Sequence, residues 1–187
     1  MSDYMAKVSG DSMKPTFLNG DIVYGMKQPA QNDLEENDII VFHDDDKWAE
    51  EDENLIKRIM AMPGDTVRIE NNGKIRINGT LADNDSGYTN GCERMTEKEK
   101  NNTITLKPDY ANMKITTGDN NLYKEFTIPD GYVFVRGDNI NNSRDSRYVF
   151  CSDESKQFLV PINSIILKVE HKINTGNAFK NLFPKIN

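Results

Sequence analysis

A serine and a lysine, well separated along the chain, are the residues whose settings suggest chemistry. Ser12 stands in Val8-Ser9-Gly10-Asp11-Ser12-Met13-Lys14-Pro15-Thr16, between small residues and just ahead of Met and Pro. A serine hydroxyl attacks poorly until a base takes its proton. His43 and His171 are far apart, lie in no motif and lack companion ligands, so solvated or structural roles suit both and a Ser-His-Asp triad is not indicated. The remaining base is Lys57, in Asn54-Leu55-Ile56-Lys57-Arg58-Ile59-Met60. In an apolar strand a lysine loses hydration of its charged form, its pKa falls, and the neutral amine becomes available nearer neutral pH. Each residue also has a plainer reading. Ser12 is equally a turn serine, and Lys57 a strand-edge lysine whose amine snorkels to water.

The elements that must position these two residues read as strands. Asp21-Ile22-Val23-Tyr24 and Ile39-Ile40-Val41-Phe42 are short apolar runs of the kind buried strands show. Thr66-Val67-Arg68-Ile69-Glu70 alternates cleanly, then Asn71-Asn72-Gly73 turns the chain into Lys74-Ile75-Arg76-Ile77, which ends at Asn78-Gly79. That is a hairpin signal, because Asn and Gly tolerate the positive φ of tight turns. Tyr132 to Val135 and Ser164 to Val169 are further strands, and no segment sustains a 3.6-residue apolar stripe. The fold class is mainly β.

Composition narrows the function classes. A net charge of -7 and a pI of about 4.9 give no electrostatic attraction for nucleic acid, so no nucleic-acid partner is expected. No run approaches the ~20 apolar residues of a membrane span, and residues 1 to 8 do not form a secretory h-region. Asp44 to Glu53 holds seven acids in ten residues. It lacks the spacing of a calcium loop and is expected to be a solvated loop. Cys92 and Cys151 fit neither a zinc cluster nor a disulfide-dense framework, and either a single bridge or two free thiols would suit them. No metal or cofactor is expected. Four Asn-x-Ser/Thr matches are what an Asn-rich chain produces by chance.

Five blocks, taken together and in order, carry a resemblance. Ser9-Gly10-Asp11-Ser12-Met13-Lys14-Pro15-Thr16 leads to Gly20-Asp21-Ile22-Val23 and then to Asn37-Asp38-Ile39-Ile40-Val41-Phe42. Ile56-Lys57-Arg58-Ile59-Met60-Ala61-Met62-Pro63-Gly64-Asp65 follows, and Gly137-Asp138-Asn139 with Ser143-Arg144-Asp145-Ser146-Arg147 closes the series. In sequence and spacing these blocks resemble those of bacterial type I signal peptidases. Val160-Pro161 to Val169 is similar to the strand that follows in that family.

The resemblance implies a folded β-sheet catalytic core, and the change of character between Thr80 and Thr127, a stretch rich in Asn, Asp, Gly, Lys and Thr, makes 80–127 an inserted, loop-rich second lobe and leaves 1–79 and 128–187 to the core. The resemblance implies a Ser/Lys dyad in which Ser12 is the nucleophile and Lys57 the general base. Ser143 is similar to the serine that hydrogen-bonds and positions the lysine amine. Arg58, Asp138, Asp145 and Arg147 resemble a charged scaffold that holds Ser143 and Lys57 in register. Some relatives carry a serine hydroxyl in the oxyanion hole two positions before the nucleophile. That position is Gly10 here, so the hole is expected to rely on backbone donors, the Ser12 N–H among them, or on water. The implied reaction is cleavage of signal peptides from exported preproteins after small residues of the Ala-x-Ala type, through an acyl-enzyme.

This chain departs from the family pattern in three places. Ala61 replaces a usual Gly, Ile140 replaces a common Arg, and only eight residues precede Ser9 where relatives carry one or two membrane spans. The resemblance implies work at the extracytoplasmic face of the cell membrane, with the anchoring span trimmed from this chain or replaced by peripheral docking. Phe17-Leu18 and Phe179 to Phe183 suit either an apolar rim dipping into the bilayer or ordinary packing. Two other readings compete. A self-cleaving repressor-type protease uses a similar dyad, but it needs a DNA-binding segment and an internal cleavage site ahead of its serine. A catalytically silent relative that binds signal peptides or a partner protein would differ by lacking cleavage alone.

Overall fold

The computed structural model describes residues 3–45, 48, 54–82, 113, 115–118, 123–152, 157–173 and 185–186. These form two antiparallel-rich sheets. The chain opens on a strand that no apolar run announced, β1 (Asp3–Val8); β2 (Ile22–Lys27), β3 (Ile39–His43) and β4 (Asn54–Ala61) then follow from the two apolar runs and the lysine block. β5 (Thr66–Glu70) and β6 (Ile75–Ile77) are the hairpin, and β7 (Thr80–Leu81) follows the Asn78-Gly79 turn. Beyond them come β8 (Thr116–Gly118), β9 (Tyr123–Thr127), β10 (Tyr132–Arg136), β11 (Val160–Pro161), β12 (Ile165–Ile173) and β13 (Lys185–Ile186).

The larger sheet has the order β11-β10-β4-β3-β12-β2-β1-β13, and the smaller β7-β6-β5-β9-β8. β12 enters late in sequence yet sits between β2 and β3, so the strand leading to Ser12 and the strand holding Lys57 are four places apart in the sheet. β13 pairs in parallel with the end of β1, Lys7 with Lys185 and Val8 with Ile186.

The positive-φ turn expected between β5 and β6 is present. Gly73 has φ +76°, its N–H donates to Glu70 O at 2.8 Å, and Asn78 and Gly79 also take positive φ. The hairpin does not belong to the sheet that carries Ser12 and Lys57. β5 pairs with β9 from Thr66–Thr127 to Glu70–Tyr123, so residues 66–77, which the expected division places in the catalytic core, build the second sheet instead. Their alternation buries Val67, Ile69 and Ile75 in one apolar cluster with Ile59, Ala61, Phe126 and Phe134. That cluster joins the two sheets; residues 83–112 lie outside the described region.

A helix interrupts the β pattern. α1 (Ser146–Ser152) is only seven residues long, too short to leave a periodic stripe. Asp145 caps it: its Oδ1 accepts the Tyr148 N–H at 3.1 Å, while its own carbonyl accepts from Val149 N–H at 2.9 Å.

Several further residues bear on readings made from the sequence. Phe17 is buried with Ala6, Val8, Met13 and Ile56, so it packs in the core, whereas Leu18 is exposed. Phe179 to Phe183 lie outside the described residues. Cys151 is buried and disulfide-bonded, and Cys92 also lies outside the described residues. The acidic run is not wholly solvated: Asp44 is 2% exposed, and Trp48 is buried with its Nε1–H donating to Gln157 O at 2.6 Å. Asp44 directly follows β3, and its charge acts on the buried Lys57 amine of the neighbouring strand.

Candidate active site

Ser12 lies in the turn between β1 and β2, and Lys57 in the middle of β4, paired with Ile40 of β3. The two side chains meet. Lys57 Nζ donates to Ser12 Oγ at 3.0 Å and to Ile56 O at 2.9 Å. The lysine is 2% exposed, surrounded by strands that exclude water. Desolvation lowers its pKa from 10.5 to about 8, against the opposing pull of Asp145 and then Asp44, whose carboxylates favour the ammonium. The neutral amine is therefore accessible at mildly alkaline pH, with a hydroxyl in hydrogen-bond reach. An arrangement of this kind can activate an alcohol.

The Ser12 turn is gripped from the segment after β10. Arg58 Nε and Nη2 reach Asp138 Oδ1 and Oδ2 at 2.8 and 2.7 Å, a two-pronged pair that ties β4 to that segment. Thr16 Oγ1 donates to Asp138 Oδ2, which adds the serine loop to the same carboxylate. Asn139 N–H donates to Ser12 O at 2.9 Å, and its Nδ2 donates to Asp11 O at 3.0 Å. Asp145 Oδ2 accepts the Gly137 N–H at 3.2 Å and lies 3.6 Å from Arg147 Nη2, both side chains being fully buried. Arg147 Nη2 also donates to Ile140 O at 2.8 Å. The four charged residues expected as a scaffold thus form two ion pairs, Arg58 with Asp138 and Asp145 with Arg147.

Ser143 and Gly10 sit differently from each other. A Cβ on Gly137 would lie 2.2 Å from Ser143 Oγ and 2.6 Å from Ser12 O, which places Ser143 against the backbone that touches the Ser12 turn. Its hydroxyl is buried and, among the described residues, has no hydrogen-bond partner, so the bond to the lysine amine implied by the resemblance is not formed. The amine turns instead to Ser12 and to the carbonyl of its own strand. Gly10 is exposed with φ +83°, and its N–H donates to Asn19 Oδ1 at 3.4 Å. Having no side chain, it brings no hydroxyl to the site. A cavity of about 590 Å³ opens beside the Arg58–Asp138 pair, lined also by Met60, Ile77 and Arg136. Neither Ser12 nor Lys57 lines it.

A profile of the family described as Signal peptidase, peptidase S26, matches residues 4–172, a span that includes every residue of this site. The chain belongs to the signal peptidase family. The family is one of peptidases, and its curated members include close matches. Signal peptidase I of Pseudomonas aeruginosa is 29% identical over 160 residues, covering 76% of this chain and 54% of that protein. Signal peptidase I of Streptococcus pneumoniae serotype 4 is 30% identical over 156 residues, covering 76% and 72%. Signal peptidase I S of Bacillus subtilis is 31% identical over 141 residues, covering 75% and 64%. The chain thus spans only about half of the Pseudomonas relative. A crystal structure of a signal peptidase I from Enterococcus faecalis V583 aligns with 73% of this chain and 97% of its own, at 24% identity and a TM-score of 0.39.

Both substitutions within the signal peptidase blocks are accommodated. Ala61 is fully buried in β4 opposite Phe134, where a methyl group adds to the core. Ile140 contributes its carbonyl to Arg147, a bond that does not depend on the side chain. Asn139, Thr16 and Asp44 are the residues that sequence reasoning missed. The first two lie inside the quoted blocks, but their types are common in any turn and carry no signal of partnership. Asp44 was hidden among six other acids.

The buried amine also has a stability consequence. The unfolded chain holds the Lys57 proton up to about pH 10.5, whereas the folded protein releases it near 8. Between those values the unfolded state binds more protons, so stability rises with pH through that window. Below about 8 the full penalty is present, about 3 kcal/mol from the gap between 10.5 and about 8. Lys57→Met removes the penalty and two hydrogen bonds. It is expected to stabilise the protein by about 1–3 kcal/mol at pH 7, an advantage that vanishes above about pH 10.5. Urea denaturation across that pH range measures it, and equal stability of parent and variant at pH 7 would refute the buried-charge account.

Proposed function

We propose that this chain is the catalytic part of a signal peptidase that cleaves signal peptides from exported preproteins after small residues, with Ser12 as nucleophile and Lys57 as general base. The observation that carries the reading is the 3.0 Å contact between a buried, readily neutralised amine and a turn hydroxyl. Neutral Lys57 takes the Ser12 proton as Oγ adds to the carbonyl carbon of the residue before the scissile bond. The Ser12 N–H supports the oxyanion that forms; among the described residues it donates to no other acceptor. The ammonium of Lys57 then passes its proton to the leaving nitrogen, the C–N bond breaks, and an ester to Ser12 remains. Water, deprotonated by the regenerated amine, attacks that ester, and its proton returns to Ser12 Oγ as the acyl group departs.

The substrate is an extended chain that adds to the edge of the larger sheet next to Ser12, which is the outer edge of β1. Backbone pairing there gives affinity without reading side chains, so selection falls to shallow pockets for small residues. β13 covers Lys7 and Val8 on that edge, and a substrate strand reaching Ser12 displaces it. Exposed Met5 and Leu18 flank the same region and support placement of this end against a membrane surface, and family membership supports work at the extracytoplasmic face. Among the described residues no helix is long and apolar enough to cross a membrane.

The test is incubation with a synthetic precursor peptide carrying Ala-x-Ala, in detergent micelles, with the product masses read. Cutting directly after the second Ala by the parent, and none by Ser12→Ala, is the expected result. Cutting of the protein's own chain in place of the peptide would move the reading to a self-processing protease. Binding without cutting would leave only a recognition module.

A further inference from the structure

The peptide unit that joins Asp11 to Ser12 is a rigid plane, so its C=O and its N–H turn together. Asn139 Nδ2 donates to Asp11 O at 3.0 Å, and Asn139 N–H donates to Ser12 O at 2.9 Å. One residue therefore holds the peptide planes on both sides of the Ser12 Cα. Because Asp11 O can only accept, the group facing it must be the amide nitrogen of Asn139. Asn139 is itself fixed. Asp138 beside it is clamped by Arg58, and Asn139 O accepts the Asn142 N–H at 2.9 Å.

The turn has reason to need such a hold. Gly10, two residues before Ser12, adopts φ +83° and has no neighbour within 4 Å of where a Cβ would stand, and from within the turn the Asp11–Ser12 plane is held by the Lys14 N–H, which donates to Asp11 O at 3.1 Å, so Asn139 supplies the hold from outside the turn. Nor does Gly10 bring a side-chain donor to the site. The Ser12 N–H has no acceptor of its own among the described residues, which leaves its direction to whatever holds Asp11 O.

We propose that Asn139 is a positioning residue that locks the Asp11–Ser12 peptide plane and thereby aims the Ser12 N–H at the oxyanion formed during acyl transfer. The inference rests on Ser12 being the nucleophile. It assigns Asn139 a role in the transition state, where charge develops on the carbonyl oxygen, and no part in holding the ground-state peptide or in tuning Lys57. Misdirecting one oxyanion donor costs about as much as losing it, on the order of a hundred-fold in kcat.

The experiment uses the full chain with Asn139→Ala and Asn139→Leu, the second keeping nearly the same volume without the N–H. Cleavage of the Ala-x-Ala precursor is measured across pH, and thermal melting is followed in parallel. The expected result is a fall in kcat of about ten- to a hundred-fold in both variants. KM should stay within about twofold, and the pH midpoint of kcat/KM should keep the parent's value, because the Lys57 environment is unchanged. Unchanged kcat would overturn the proposal. So would a moved pH midpoint, which would route the effect through Lys57, or a raised KM at constant kcat, which would make Asn139 a substrate contact. Loss of fold in both variants would assign the residue to stability alone and likewise overturn it. A parent that cuts nothing sinks the proteolytic reading and this inference with it, whereas variants that cut as well as an active parent sink only this inference.

Discussion

Replacing Lys57 by Met is expected to lower kcat/KM on an Ala-x-Ala precursor by about a thousand-fold or more while the protein remains folded. The methionine fills a similar buried volume without an amine, so Ser12 Oγ loses the base that lies 3.0 Å away. Lys57→Arg should be equally inactive, because a guanidinium keeps its proton at any working pH. The parent supplies the complementary measurement. Only neutral Lys57 can accept the serine proton, so kcat/KM should fall about tenfold for each pH unit on the acid side and level off on the alkaline side. The midpoint belongs near the value of about 8 that burial imposes on the amine. A profile flat from pH 6 to 9, or a Lys57→Met variant that still cleaves well, would sink the dyad.

Gly137→Ala is the second large effect. The added methyl carbon would stand 2.2 Å from Ser143 Oγ and 2.6 Å from Ser12 O, both well inside van der Waals contact. The serine hydroxyl could swing aside, but Ser12 O is backbone and is already held by the Asn139 N–H. Relief therefore requires the Ser12 turn and the segment after β10 to part. Displacement on the order of an ångström at the nucleophile is enough for about a hundred-fold loss of rate. Overpacking also destabilises by about 1–3 kcal/mol. Backbone strain is not the cause, since Gly137 lies outside the left-handed region where glycine is favoured. Cleavage assays and denaturation of Gly137→Ala measure both effects, and a variant with parental activity would show that the two segments have slack that their contacts do not suggest.

Much of the architecture was legible because it is local. Apolar runs such as Ile39 to Phe42, and the alternation of Thr66 to Glu70, specify strands through side-chain periodicity that any neighbour must respect. Asn71-Asn72-Gly73 specifies its turn through the φ that only such residues accept readily. What those signals omit is which sheet a strand joins. The β5–β6 hairpin reads the same whether it extends the first sheet or starts a second, and its pairing with β9 depends on a strand some fifty residues later. The helix after Asp145 was unreadable for a different reason, being two turns long and announced only by its cap.

The candidate site divides along the same line. Residue types and block order named Ser12 and Lys57 from the sequence alone, along with the charged residues around them, because nucleophile and base chemistry is written in side-chain identity. Tertiary structure decided that they touch. The order β4-β3-β12-β2-β1 closes a gap of 45 residues to one hydrogen bond, and no local pattern encodes that closure. It decided the amine's pKa too, since desolvation is a property of the strands packed around Lys57 and not of the lysine. For the same reason Asp44 became a buried acid and Asn139 a clamp on the Ser12 turn: both roles arise from distances between segments remote in sequence, and distance is what only folding supplies.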